Sequence, residues 1–200
     1  MASSTMEFWY EFASTYSYIS VEEIDDKAHS AGVRVEWKPF LLGPVFARQG
    51  WRDSPFNLYP AKGAYMWRDL ERLCVRKKLA WRRPTTFPRN GLLAARVATA
   101  IGDARSSKAF TKAVFRSNFV QDEDISDSAV IARALKRAGL SSDEWLQRAA
   151  TEETKELLRL RTEEAESRGI FGAPTFVAHG ELFWGGDRLD DALDWMTSKP

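Results

Sequence analysis

The sequence predicts an α/β protein whose small mixed sheet is interrupted by a large block of helices. Three observations point there. A short aromatic run, Glu7 to Phe12 (E-F-W-Y-E-F), is followed by a helical pattern and then by alternation of period two. From Pro60 the apolar spacing stays helical for roughly a hundred residues. Past Gly169 the strand pattern returns as two short runs across a two-residue turn.

Each element follows from its residues. After Ala13-Ser14-Thr15, Tyr18, Val21 and Ile24 to Ala28 recur at helical spacing until Gly32 stops them. Val33 to Pro39 then alternates, which completes a strand, helix, strand unit with the length of a right-handed parallel crossover. Met66, Leu70, Leu73 and Cys74 form the apolar stripe of the first helix of the block, so Cys74 packs inward. Pro84 and Pro88 break the chain before a helix through Leu93, Ala94, Val97 and Ile101. Further helices are expected over 110–119, over 126–138 up to Gly139, after the capping-box pattern Ser141-x-x-Glu144, and along a charged stretch, 152–168, that stops at Gly169. Pro174 to Ala178 and Glu181 to Trp184 flank His179-Gly180 as a tight antiparallel hairpin, and Gly185 to Arg188 leads into a closing helix through Leu189, Leu193 and Met196.

Composition excludes several classes of function. The 200 residues carry 29 Lys and Arg against 28 Asp and Glu, a net charge of +1, so there is no surplus to grip a nucleic-acid backbone. No run reaches the length of a membrane span and Met1 to Thr5 has no secretory pattern, so a cytoplasmic protein is expected. One cysteine and two histidines cannot make an internal disulfide or a Cys/His zinc site. His29 and His179 have no acid or nucleophile near them in sequence and read as structural or surface residues.

Two places could carry chemistry. Ser14-Thr15-Tyr16-Ser17 lies where a strand passes into a helix, and a helix N-terminus stabilises an anion such as a thiolate. A serine there is equally an ordinary helix cap. In Ile170 to Phe176 a proline opens a strand. If Ala173-Pro174 is cis, the Ala173 backbone becomes an open edge for a peptide-like ligand; an ordinary trans proline is the alternative. Trp51, Trp67 and Trp184 are candidates to wall an aromatic pocket.

Taken together, F-A-S-T-Y-S-Y, P-A-K-G-A-Y-M-W-R-D-L, F-G-A-P-T-F and F-W-G-G-D-R-L resemble the 2-hydroxychromene-2-carboxylate isomerases and the related kappa-class glutathione transferases, in the DsbA-like branch of the thioredoxin superfamily. The resemblance runs from Glu7 to Met196, and S-x-x-S stands where thioredoxin-like oxidoreductases carry C-x-x-C. It implies a thioredoxin-like fold with a DsbA-like helical insertion: residues 1–59 as the first half (βαβ), 60–168 as the insertion and 169–200 as the second half (ββα).

The resemblance also implies roles. Ser14 matches the serine whose hydroxyl donates to the sulfur of bound glutathione, although Thr15 replaces the proline that usually follows and the turn could be looser for it. Ala173, before Pro174, matches the backbone partner of the cysteinyl unit. Gly186, Asp187 and Arg188 match the segment that receives the γ-glutamyl end, Asp187 being equally a helix cap. Lys62 and Asn57 match polar residues that face glutathione or the substrate, with a solvated helix face as the plainer reading of Lys62. Asn90, beside Gly91, and Tyr16 fall near the expected substrate pocket, and Asn90 also suits a turn. The implied protein is a homodimeric, glutathione-dependent isomerase acting on a small aromatic carboxylate, with a kappa-like transferase or a non-catalytic binder as the other readings. A disulfide oxidoreductase is excluded, because its cysteines are missing.

Overall fold

The computed structural model describes residues 5–198. Strand β1 (Thr5–Tyr10) and strand β2 (Arg34–Pro39) pair in parallel across helix α1 (Thr15–Ser30), and β3 (Thr175–Ala178) and β4 (Glu181–Trp184) add to the other side of β1 in antiparallel fashion, giving the order β2-β1-β3-β4. The hairpin turn is His179-Gly180, both residues at positive φ. Between β2 and β3 lie α2 (Leu42–Arg48), α3 (Pro55–Leu58), α4 (Pro60–Lys77), α5 (Leu92–Ala100), α6 (Ala104–Phe119), α7 (Ser128–Arg137), α8 (Ser142–Ala149) and α9 (Glu152–Ser167); a 3₁₀ turn, Gly186–Arg188, and α10 (Leu189–Thr197) close the described chain. None of these helices is long and apolar enough to cross a membrane.

The period-two pattern of β1 decides which layers pack against it. Met6, Phe8 and Tyr10 point into the main core, where Phe8 stacks on Phe176 at 5.4 Å and Phe12 stacks on Phe115 of α6 at 5.3 Å. Trp9 points the other way, onto Phe40, Val45, Ala165, Ile170 and Val177. Leu70 and Cys74 of α4 enter the same main core as the sheet. Burial pushes the Cys74 thiol up to about 11, so it is inert at neutral pH. Ser141 caps α8, but Glu144 turns away from the box to pair with Arg148.

Two sequence expectations are corrected. The first strand spans Thr5–Tyr10 instead of running to Phe12, because its parallel partner ends at Pro39, opposite Tyr10. Glu11 is therefore turned out of the ladder. The stretch 40–59, without a helical signal in sequence, holds α2 and α3; seven and four residues are too few to show a period.

Candidate functional site

A cleft of about 1920 Å³ opens where β1 passes into α1. Its floor is the loop from Glu11 to Tyr16, faced by Gly172 to Pro174. One wall is α2 with Trp51 and Phe56, and the other is α4 through Lys62, Tyr65 and Asp69. Phe87 to Gly91 and Trp184 to Arg188 complete it. Trp51 and Trp184 thus line the cleft. Trp67 does not: it packs against Trp81 and Phe87 beside the main core.

Ser14 is the N-cap of α1, and its Oγ accepts the Ser17 N–H at 3.2 Å. The same Oγ donates to the Ala173 carbonyl oxygen at 2.9 Å. Thr15 begins the helix regularly, so the expected loosening of the turn does not occur. The hydroxyls of Thr15 and Ser17 are buried without a hydrogen-bond partner among the described residues.

Ala173-Pro174 is cis. The edge it offers is half of the one expected: the Ala173 carbonyl is taken by Ser14, whereas its N–H has no partner among the described residues. Pro174 accepts the Gly185 N–H at 3.0 Å, which ties the Gly186 to Arg188 turn to this loop. Gly185 has φ +117, and a Cβ there would lie 2.5 Å from Asp187 Oδ1. Asp187 makes no cap bond; its carboxylate is solvent-exposed and lies 3.8 Å from the Arg188 guanidinium, which pairs with Asp191 at 2.8 Å.

Tyr16 donates to Asp69 Oδ2 at 3.1 Å, and burial together with the Asp69 charge raises its phenol above the ordinary value, so it stays protonated at neutral pH. Lys62 stands exposed on the rim, its ammonium 4.7 Å from the centre of the Tyr59 ring. Asn90 lines the cleft, but its Oδ1 accepts the Leu92 N–H at 2.9 Å, the turn role its sequence context suggested. Asn57 does not line the cleft. Its amide donates to Asp53 and to the Phe87 carbonyl, a clip between α3 and the loop before α5. His29 is exposed and His179 reaches the Met196 carbonyl in the hairpin turn, away from the cleft. Among the described residues no group of acidic, histidine and cysteine side chains could hold a metal.

Two residues escaped the sequence reading. Arg89 is buried and bonds Asn118, Thr85 and Asp122, holding the loop from Thr85 to Gly91 against α6; only its isolated charge inside F-P-R-N-G hinted at this. Glu11 faces the cleft beside Ser14 and was hidden because the aromatic run around it read as strand.

A model of the DsbA-like thioredoxin domain matches residues 5–196. The chain belongs to that family. As a DsbA-like domain it lacks any cysteine in its cleft, where Ser14 and Ser17 occupy the first turn of α1. It is 26% identical to "Glutathione S-transferase kappa 1" of Homo sapiens, over 93% of this chain and 88% of that protein. It is 25% identical to "2-hydroxychromene-2-carboxylate isomerase" of Sphingobium xenophagum, over 94% and 95%. Among solved structures, a 2-hydroxychromene-2-carboxylate isomerase superposes with a TM-score of 0.87 at 20% identity, covering 96% of this chain and 94% of that one.

Proposed function

We propose that this DsbA-like chain is a glutathione-dependent isomerase interconverting 2-hydroxychromene-2-carboxylate and trans-o-hydroxybenzylidenepyruvate, or a related aromatic acid. The observation that carries the reading is the Ser14 hydroxyl at the start of α1, opposite Ala173, in a cleft that has no thiol of its own. The isomerase from Sphingobium xenophagum, similar over nearly the whole chain, supports the choice of substrate.

The residues present suit glutathione. The unpartnered Ala173 N–H meets a peptide carbonyl, and the cleft has room for a tripeptide beside a bicyclic acid. When bound, glutathione would supply a thiolate that adds reversibly to the conjugated acid, letting the carbon–carbon bond rotate before the thiolate leaves. The chain does the rest. Ser14 turns its hydroxyl from Ala173 toward the sulfur, and the unpaired N–H groups of the first turn of α1 hold the negative charge. Asp187 offers a carboxylate to the γ-glutamyl ammonium, next to Gly186 and Arg188, and Lys62 on the α4 rim attracts a carboxylate. Trp51, Phe56, Phe171 and Trp184 shelter the aromatic ring from water, with Tyr16 and Asn90 as polar contacts.

Spectrophotometry on gel-filtered protein with 2-hydroxychromene-2-carboxylate tests this. Activity is expected only with glutathione and not with S-methylglutathione; full activity without a thiol refutes it. The likeness to the human kappa transferase favours one second reading, in which the thioether is retained as product. Accumulation of a stable conjugate in the same assay selects it.

A further inference from the structure

Glu11 stands in the loop between β1 and Ser14 and lines the same cleft as Ser14. β1 ends at Tyr10, and the chain turns so that Glu11 Oε2 accepts the Ala13 N–H at 2.8 Å while the Glu11 carbonyl accepts the Ser14 N–H at 3.0 Å. On the other side Oε1 presses against Gly91, where a Cβ would sit 2.9 Å from it. The residue is largely enclosed but still reaches the cleft.

Among the described residues no cation pairs with it. Its loop neighbours Phe12, Ala13 and Ser14 are uncharged, and Tyr10 on β1 bonds Thr111. The stretch 85–91 before α5 brings one charge, Arg89, committed to Asp122. Asp69 of α4, which also lines the cleft, bonds Tyr16. Burial pushes the Glu11 carboxyl up to about 7 against the pull of the Ala13 and Ser14 N–H groups. A site that has one set of backbone donors and no cation supports one negative charge far better than two.

We propose that Glu11 is the proton acceptor for the thiol held at Ser14. Glu11 takes the S–H proton on a carboxylate oxygen, the bonding pair stays on sulfur, and Glu11 returns the same proton when the thiolate is released. The proposal rests on glutathione being the ligand.

The test is proton release on glutathione binding, measured by calorimetry in buffers of different ionisation enthalpy, with ultraviolet absorption reporting the thiolate. Wild type is expected to form the thiolate near pH 8 with almost no proton released, because Glu11 captures it, and to form less thiolate near pH 6, where Glu11 is already neutral. In Glu11→Gln, which keeps an acceptor for the Ala13 N–H, thiolate formation should release about one proton at every pH or weaken at least several-fold. Thiolate formation in wild type with about one proton released at pH 8 overturns the proposal, without any variant being needed. So does a Gln variant with the wild-type profile, or a bound thiol that stays neutral. Absence of glutathione binding by wild type overturns the isomerase reading and Glu11 with it, whereas binding with the wrong proton count removes Glu11 alone.

Discussion

Ser14→Ala removes two bonds at once, and the structure gives each a size. The Ser17 N–H loses its cap acceptor, which costs about 1 kcal/mol. The Ala173 carbonyl loses its donor, which costs about 0.5–1.5 kcal/mol. Together they should lower the melting temperature by about 3–10 °C for a chain of this size. The effect on a bound thiol is separate. A hydroxyl donating to a thiolate is worth about 1.5–3 kcal/mol, but Ser14 must first give up Ala173 at a central cost of about 1 kcal/mol, so the net gain is about 0.5–2 kcal/mol. Deleting it should raise the thiol pKa by about 0.4–1.5 units and lower activity at neutral pH about two- to thirtyfold. Glutathione affinity should change much less, since the Ala173 N–H, Gly186 and Asp187 are untouched. Ultraviolet titration of the bound thiol beside a thermal melt separates the two roles. A lowered melting temperature with an unshifted titration makes Ser14 a cap and nothing more, and a melting temperature that stays put contradicts the cap as well.

Because burial raises the Glu11 carboxyl from 4.5 to about 7, the native state binds the extra proton between those values and stability should decline as pH rises through that window. Glu11→Gln should abolish this decline and be the more stable protein near pH 8 by about 1–3 kcal/mol, read from urea unfolding across pH. Arg89→Met leaves the Asp122 carboxylate with only Thr85 and the more distant Arg82 guanidinium and should cost about 2–4 kcal/mol by denaturant titration; a cost below about 1 kcal/mol would mean that the pair is not what holds the loop. Asp122 is held below the usual carboxylate range by the Thr85 N–H and by Arg89, so its stabilisation is present at neutral pH and lost on acidification, and Asp122→Asn should flatten the acid limb of the stability profile. Trp184 stands 54% exposed against Phe171 at the cleft mouth; Trp184→Ala should raise the KM for an aromatic substrate about two- to tenfold with kcat nearly unchanged, as steady-state kinetics will show.

Local order was legible from the chain alone. The aromatic run of β1, period two in β2, the stripe on α4 and the Gly32 and Gly169 stops are properties of neighbouring residues, so they survive without knowledge of partners. The same holds for Ser14 at a helix start and for the hairpin at His179-Gly180, whose chemistry is local. What needed tertiary structure is everything set by a partner distant in sequence. β1 ends at Tyr10 because β2 ends at Pro39, and only that turns Glu11 from a strand residue into a cleft carboxyl. Ser14 donates to Ala173 across 159 positions, which no spacing rule registers. Asn57 carried the right residue type for a pocket, yet Asp53 and the Phe87 carbonyl drew its amide away. A side chain's type is written in the sequence, but whether its polar atoms are free for a ligand depends on which neighbours folding brings to them, and those neighbours come from far along the chain.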